Sequence, residues 1–248
     1  MISFSSEQKF IVTGASSGIG EGVALLLNEL GASVIAIGRN EMRLNGLKQK
    51  AKYPENMFLE QKDLAEDIEH LPVYVKSLKD KYGKFSGLAY CAGVTDVEPF
   101  KCLDYGAFES IFKVDYYSPV FFVKGFIDKR NNVGVGSSIV LVSSLAGSIS
   151  IKGMVSYCGA KAALVNSSKV IAKEYASSGI RINTVSPSDI ETPMIQKGEI
   201  KNFVENRLSK YPLGLGHVSD VANMIVFLLS HRAKWITGQD YIIDCASY

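Results

Sequence analysis

Short runs of consecutive apolar, largely β-branched residues alternate along this chain with longer stretches whose apolar positions recur every three or four residues. The first pattern is that of strands buried on both faces, the second that of helices packed over them. The runs predict strands at Lys9–Thr13, Ser33–Ile37, Met57–Gln61, Gly87–Tyr90, Ser138–Val142, Ile180–Val185 and Tyr241–Ile243. The helical period predicts helices over Ile19–Leu30, Glu41–Lys52, Ile68–Lys81, Tyr105–Lys129, Ser156–Ser177 and Ser219–Ser230, the first closed by Gly31. Such alternation, with right-handed crossovers, predicts an α/β fold: a single doubly wound parallel sheet flanked by helices on both faces. Ligands of such a sheet bind at the carboxyl ends of its strands. No linker or shift in composition divides residues 1–248, which are read as one domain.

Composition narrows the function classes. A formal charge of +2 is too small to point to nucleic acid or an acidic membrane surface. Met1–Glu7 lacks the basic and apolar segments of a signal peptide, and no run approaches the ~18 apolar residues of a membrane span. A cytoplasmic protein is expected. Cys91, Cys102, Cys158 and Cys245 lie far apart without paired ligand spacing, and His70, His217 and His231 are isolated, so no metal role is assigned.

The turn after the first strand reads Thr13-Gly14-Ala15-Ser16-Ser17-Gly18-Ile19-Gly20. Gly14 suits the positive φ of a tight turn, Gly18 a close backbone approach to a pyrophosphate, and Gly20 close packing of helix on sheet. Placed between strand and helix, this pattern points to a dinucleotide whose phosphates meet the helix N-terminus. At the end of the second strand, Ile37-Gly38-Arg39-Asn40 has no acid to hold a ribose 2′-hydroxyl. The Arg39 guanidinium can pair with a 2′-phosphate instead, so NADP(H) is favoured over NAD(H), with a solvated surface arginine as the alternative. Asp63-Leu64 and Cys91-Ala92-Gly93 follow the third and fourth strands, at the same edge. Asp63 either accepts the adenine amino group or caps the next helix.

Candidate chemistry lies further on. Ser143-Ser144 ends the fifth strand, and Tyr157 and Lys161 stand one helical turn apart, on one face. A lysine cation beside a phenol favours the phenolate and draws its pKa from about 10 towards working pH. Such a phenol donates a proton to a carbonyl oxygen as hydride arrives, or removes one in reverse. Ser144 can hold the same oxygen.

Together, Thr13-Gly14-x-x-x-Gly18-Ile19-Gly20, Ser144 and Tyr157-x-x-x-Lys161 resemble the classical short-chain dehydrogenase/reductase family, over nearly the whole chain. Ile182–Pro187 and Ile236–Gln239 resemble its later strand segments. The resemblance implies a Rossmann-type fold, hydride transfer from nicotinamide C4, and Tyr157 as general acid/base with Ser144 orienting the carbonyl. It implies that Lys161 also holds the nicotinamide ribose, that Ile190 and Thr192 face the carboxamide with Pro187 also at the cofactor, and that the chain forms a homotetramer or homodimer. It also implies a substrate lid around residues 192–213, carrying Met194, Ile195, Phe203 and Tyr211 among Lys197, Glu199, Lys201 and Arg207.

Four departures from the family pattern stand out. Cys91 stands for an asparagine, Ser188 for a glycine, and Cys245-Ala246 for a pair of glycines. Asp115 stands for the fourth catalytic residue, an asparagine that supports a helix irregularity whose carbonyl holds a proton-relay water. An ionised aspartate accepts hydrogen bonds but cannot donate one. Two functions follow: an NADP(H)-dependent carbonyl reductase or alcohol dehydrogenase, acting on a 3-oxoacyl thioester, keto sugar, steroid or small ketone, or a non-catalytic NADP(H)-binding sensor or assembly protein of the same fold.

Overall fold

The computed structural model describes every residue except Lys197, with positions 198 and 199 described by their backbone. Strands β1 (Lys9–Thr13), β2 (Ser33–Gly38), β3 (Met57–Gln61), β4 (Gly87–Tyr90), β5 (Ser138–Val142), β6 (Arg181–Pro187) and β7 (Asp240–Ile243) form one sheet. Its order is β3-β2-β1-β4-β5-β6-β7, and every neighbouring pair is parallel. The winding direction reverses between β1 and β4, which opens a crevice at their carboxyl ends.

The apolar runs are continuous because successive residues enter different cores. Val12, Val34 and Ala36 pack with Val23 and Leu27 of α1 (Gly18–Glu29) on one face. Ile11, Ile35 and Leu88 pack with buried Phe122 and Phe126 on the other. Each face is dry because helices cover both. Around the sheet follow α2 (Glu41–Lys50), α3 (Leu71–Tyr82), α4 (Tyr105–Phe112), α5 (Ser118–Phe126), α6 (Val155–Tyr175), α7 (Gly198–Glu205) and α8 (Val218–Leu229). Among the described residues no helix is long and apolar enough to cross a membrane.

The expected helix from Tyr105 is interrupted by a π-helical turn at Lys113–Tyr117, which joins α4 to α5 and contains buried Asp115. The helix expected from Ile68 begins as a 3₁₀ turn, and its regular part starts at Leu71 with Pro72 in the first turn. Proline fits there because its missing N–H would have had no helical partner. Helix α7, inside the expected lid, was not anticipated. Lys197, one of the charged positions expected in that lid, and the side chain of Glu199 lie outside the described residues.

Candidate active site

The first turn takes the form its glycines suggest. Gly14 has φ +64°, and a Cβ there would lie 2.8 Å from the Ala92 nitrogen. A Cβ on Gly20 would come within 2.3 Å of the Gly14 carbonyl oxygen, so only glycine lets α1 start this close to β1. Thr13 Oγ1 accepts the Cys91 and Ala92 N–H groups at 3.1 and 3.2 Å and ties β1 to the turn after β4. No side chain caps the start of α1, which leaves its N–H groups for an anion.

This turn forms one wall of an open cleft of about 900 Å³. Gly14, Ser16, Ser17, Gly18, Ile19, Gly20, Arg39, Asp63, Leu64, Cys91, Ala92, Gly93 and Thr192, all candidate cofactor-binding residues, line it together. Asn40 does not. Its Oδ1 accepts the Arg43 N–H at 2.9 Å and caps α2, so the preference of asparagine for helix starts decided its place. Asp63 caps no helix either. Its Oδ1 accepts the Ala65 N–H at 2.9 Å, closing a local turn, and its Oδ2 lies 3.6 Å from Arg39 Nη1.

A second cleft, of about 910 Å³, shares Ile19, Cys91, Gly93 and Thr192 with the first. Ser144, Tyr157, Lys161 and Asp115 line it together, with Pro187 and Ile190 opposite. Ser144 leaves β5, Tyr157 and Lys161 come from α6, and Asp115 from the π turn. The adjacent Ser143 is spent within the frame, its Oγ donating to the Lys161 carbonyl at 3.2 Å.

Lys161 Nζ lies 2.8 Å from Asp115 Oδ1, with both side chains almost wholly buried, and donates to the Val142 carbonyl at 3.2 Å. It stands 5.6 Å from the centre of the Tyr157 ring. Burial works against the lysine's charge, but Asp115 and then Tyr157 outweigh it and hold its pKa above the ordinary range. Burial raises Asp115 against the pull of Lys161. The expectation of a lowered Tyr157 pKa is corrected. Burial lifts the phenol above 10, Lys161 lowers it and Asp115 raises it again, so the lysine's effect is partly cancelled. The Ser144 hydroxyl acts in the lowering direction.

Thr95 was not singled out from the sequence, which named Phe203, Arg207 and Tyr211 only as lid residues without the contacts they make. Thr95 Oγ1 is buried without a partner in the wall of this cleft. Arg207 packs between the rings of Phe203 and Tyr248, 4.7 and 5.2 Å from their centres. Arg207 Nη2 donates to Tyr211 Oη at 3.3 Å, and that hydroxyl donates to Asp189 Oδ2. The spacing of Ile200, Phe203, Val204 and Arg207 is the helical signal that could have revealed this side of the cleft. Burial pushes the Cys91 thiol up to about 12, against a smaller effect of Lys161, which makes it a neutral wall group. Ser188 has no left-handed backbone, so glycine is not needed there, whereas Cys245 and Ala246 hold φ of 48° and 59°, a conformation that suits glycine.

Comparison with known proteins agrees with this architecture. The family model described as enoyl-(acyl carrier protein) reductase matches residues 14–245. The chain is 33% identical over 238 residues to the 3-oxoacyl-[acyl-carrier-protein] reductase FabG of Thermotoga maritima, spanning 94% of this chain and 95% of that protein. It is 31% identical to an NAD-dependent glycerol dehydrogenase of Listeria innocua, over 94% and 91% of the two chains. A solved short-chain type dehydrogenase/reductase from Mycobacterium ulcerans shares the fold with a TM-score of 0.87 at 29% identity, over 99% of this chain and 91% of that one. The chain belongs to the short-chain dehydrogenase/reductase family of oxidoreductases.

Proposed function

We propose that this protein is an NADP(H)-dependent oxidoreductase that transfers hydride between nicotinamide and a carbonyl or alcohol substrate, with Tyr157 as general acid/base. One observation carries the proposal: Ser144, Tyr157 and Lys161 line a single cleft that opens into the glycine-walled cleft at the start of α1. The residues present fit a dinucleotide, because the uncapped helix start and the Cβ-free turn accept a pyrophosphate. Arg39 supports NADP(H), since β2 itself ends without an acid, while Asp63, after β3, lies 3.6 Å from the guanidinium and competes with a phosphate for it.

When bound, the reduced cofactor supplies a hydride to the carbonyl carbon. Tyr157 Oη gives its proton to the carbonyl oxygen, whose π pair becomes the new O–H bond, and the phenolate is reprotonated from solvent. Ser144 donates to the same oxygen and stabilises the charge that develops there. Lys161 has three donors, of which Val142 takes one and Asp115 faces another, leaving the third for a ribose hydroxyl. Residues 192–213 serve as the lid, with Met194, Ile195 and Phe203 on the cleft and Tyr211 anchoring the segment through Asp189. The chain acts as one domain, in the cytoplasm, and assembles as a homo-oligomer through its long helices, where Tyr117 and Val170 are exposed.

The test is NADPH turnover on a panel of small ketones, 3-oxoacyl thioesters, keto sugars and steroids. Consumption of NADPH with at least one of them is expected. Tight NADPH binding without turnover on any of them would overturn the enzyme reading in favour of a sensor.

A further inference from the structure

The π turn and α6 place a carboxylate in contact with the Lys161 ammonium beside Tyr157. Asp115 is 1% exposed, its Oδ1 lies 2.8 Å from Lys161 Nζ, and its Oδ2 accepts the Val94 N–H at 3.4 Å. Gly93 leaves room for the pair, since a Cβ there would stand 2.8 Å from Asp115 Oδ1 and 3.5 Å from Lys161 Nζ. The carboxylate is held against the ammonium by the Lys161 contact and by the Val94 N–H.

We propose that Asp115 is a positioning residue that sets the pH range of the site: paired with Lys161, it cancels the lysine's charge at Tyr157 and keeps the phenol protonated through neutral and mildly alkaline pH. Proton donation to a carbonyl then persists across that range, while proton removal from an alcohol is confined to higher pH. The inference rests on Tyr157 being the acid/base named above.

The charge balance follows from the groups that face the pair. Lys161 is met by Asp115 from the π turn, Tyr157 from its own helix and Cys91 from the end of β4. Tyr157 is met by Lys161, Asp115, Ser144 from the end of β5 and Cys158 beside it. Cys91 is neutral, its thiol held near 12 by burial, with Lys161 pulling the other way, so among the described residues Asp115 supplies the counter-charge to Lys161. A cation with a carboxylate at contact distance acts on a third group as a dipole, whose effect falls off faster than that of a single charge. Burial of Tyr157 is the larger influence and points the same way, and Asp115 adds to it by opposing Lys161. Asparagine at 115 would keep the shape and remove the charge, with an amide nitrogen in place of one acceptor oxygen.

The experiment needs no substrate. The phenolate absorbance of the protein is titrated against that of Tyr157→Phe, up to the pH at which circular dichroism first changes. The difference reports Tyr157 alone. For the unaltered protein no Tyr157 phenolate is expected below about pH 10. In Asp115→Asn, measured against Asp115→Asn with Tyr157→Phe, the phenolate should emerge roughly one to three pH units lower. Adding Lys161→Met to Asp115→Asn should abolish that displacement, which a purely structural role for Asp115 would not do. An unchanged phenolate onset in Asp115→Asn would overturn the proposal, as would a Tyr157 phenolate at neutral pH in the unaltered protein. The latter measurement decides the matter even if Asp115→Asn does not fold. Because no turnover is read, a protein that reduces nothing counts against the enzyme reading, and a misplaced phenolate counts against Asp115.

Discussion

Tyr157 sits among neighbours that act in opposite directions. Burial and Asp115 favour the phenol, whereas Lys161 and the Ser144 hydroxyl favour the phenolate. Replacing Tyr157 by phenylalanine should lower turnover by about 10²- to 10⁴-fold, the usual contribution of a positioned acid or base. NADPH binding, followed by fluorescence, should survive, and unchanged turnover would reject the role. Arg39 is a separate matter, because it faces the other cleft. Arg39→Ala should weaken NADPH by roughly 10- to 100-fold, the worth of one charged hydrogen bond of about 1.5–3 kcal/mol. NADH should be little affected, and equal loss for both cofactors would remove the phosphate role. The helical spacing of Tyr157 and Lys161 was readable from the chain because it is local. The partner of Lys161 was not, because Asp115 reaches it from another helix, and burial first, with Asp115 adding to it, overturned the simple expectation of an acidified phenol.

The β1 turn and α1 work as one element. A methyl group at position 20 would meet the Gly14 carbonyl oxygen at 2.3 Å, a distance that backbone cannot yield cheaply. Gly20→Ala should therefore lower stability by about 1–3 kcal/mol, the scale of overpacking, and weaken NADPH binding in parallel. Denaturant unfolding and cofactor titration check the two effects, and a stable variant with full binding would show that the turn is not fitted this closely. Glycine placement and strand boundaries were legible because they depend on backbone sterics and on burial of both sheet faces. Asn40 was misplaced because arginine and asparagine at a strand end suit a ligand as readily as a helix cap, and only the 2.9 Å bond to the Arg43 N–H separates the two. Helix α7 is eight residues long, and its short apolar spacing was obscured by the charges around it.

Across the whole molecule, several phenols are buried where ionisation is disfavoured. Tyr74 and Tyr90, raised chiefly by burial, join Tyr157 and Tyr211 above the ordinary tyrosine range. A raised pKa means that the folded protein keeps a proton which the unfolded chain releases. The resulting stability is fully present below about pH 10 and is lost as pH rises through the folded values. Thermal melting should accordingly change little with these groups from pH 7 to 9 and fall steeply above 10, and a melting temperature insensitive to pH up to 11 would contradict these burials. The doubly wound sheet was legible in full because its signal repeats with every strand. A ligand crevice at the carboxyl ends of the strands followed from it, but the polar lining of the second cleft by Thr95, Asp189 and Arg207 depends on loops whose paths no period records.

The central claim is that hydride passes directly from nicotinamide to a carbonyl carbon while Tyr157 supplies the proton. Transfer of deuterium from NADPH labelled at nicotinamide C4 tests it most directly, with any carbonyl compound that the protein reduces. The account predicts deuterium on the carbinol carbon of the product, and little or no product from Tyr157→Phe despite retained NADPH binding. Product without the label, or labelled product formed equally well by Tyr157→Phe, would contradict it.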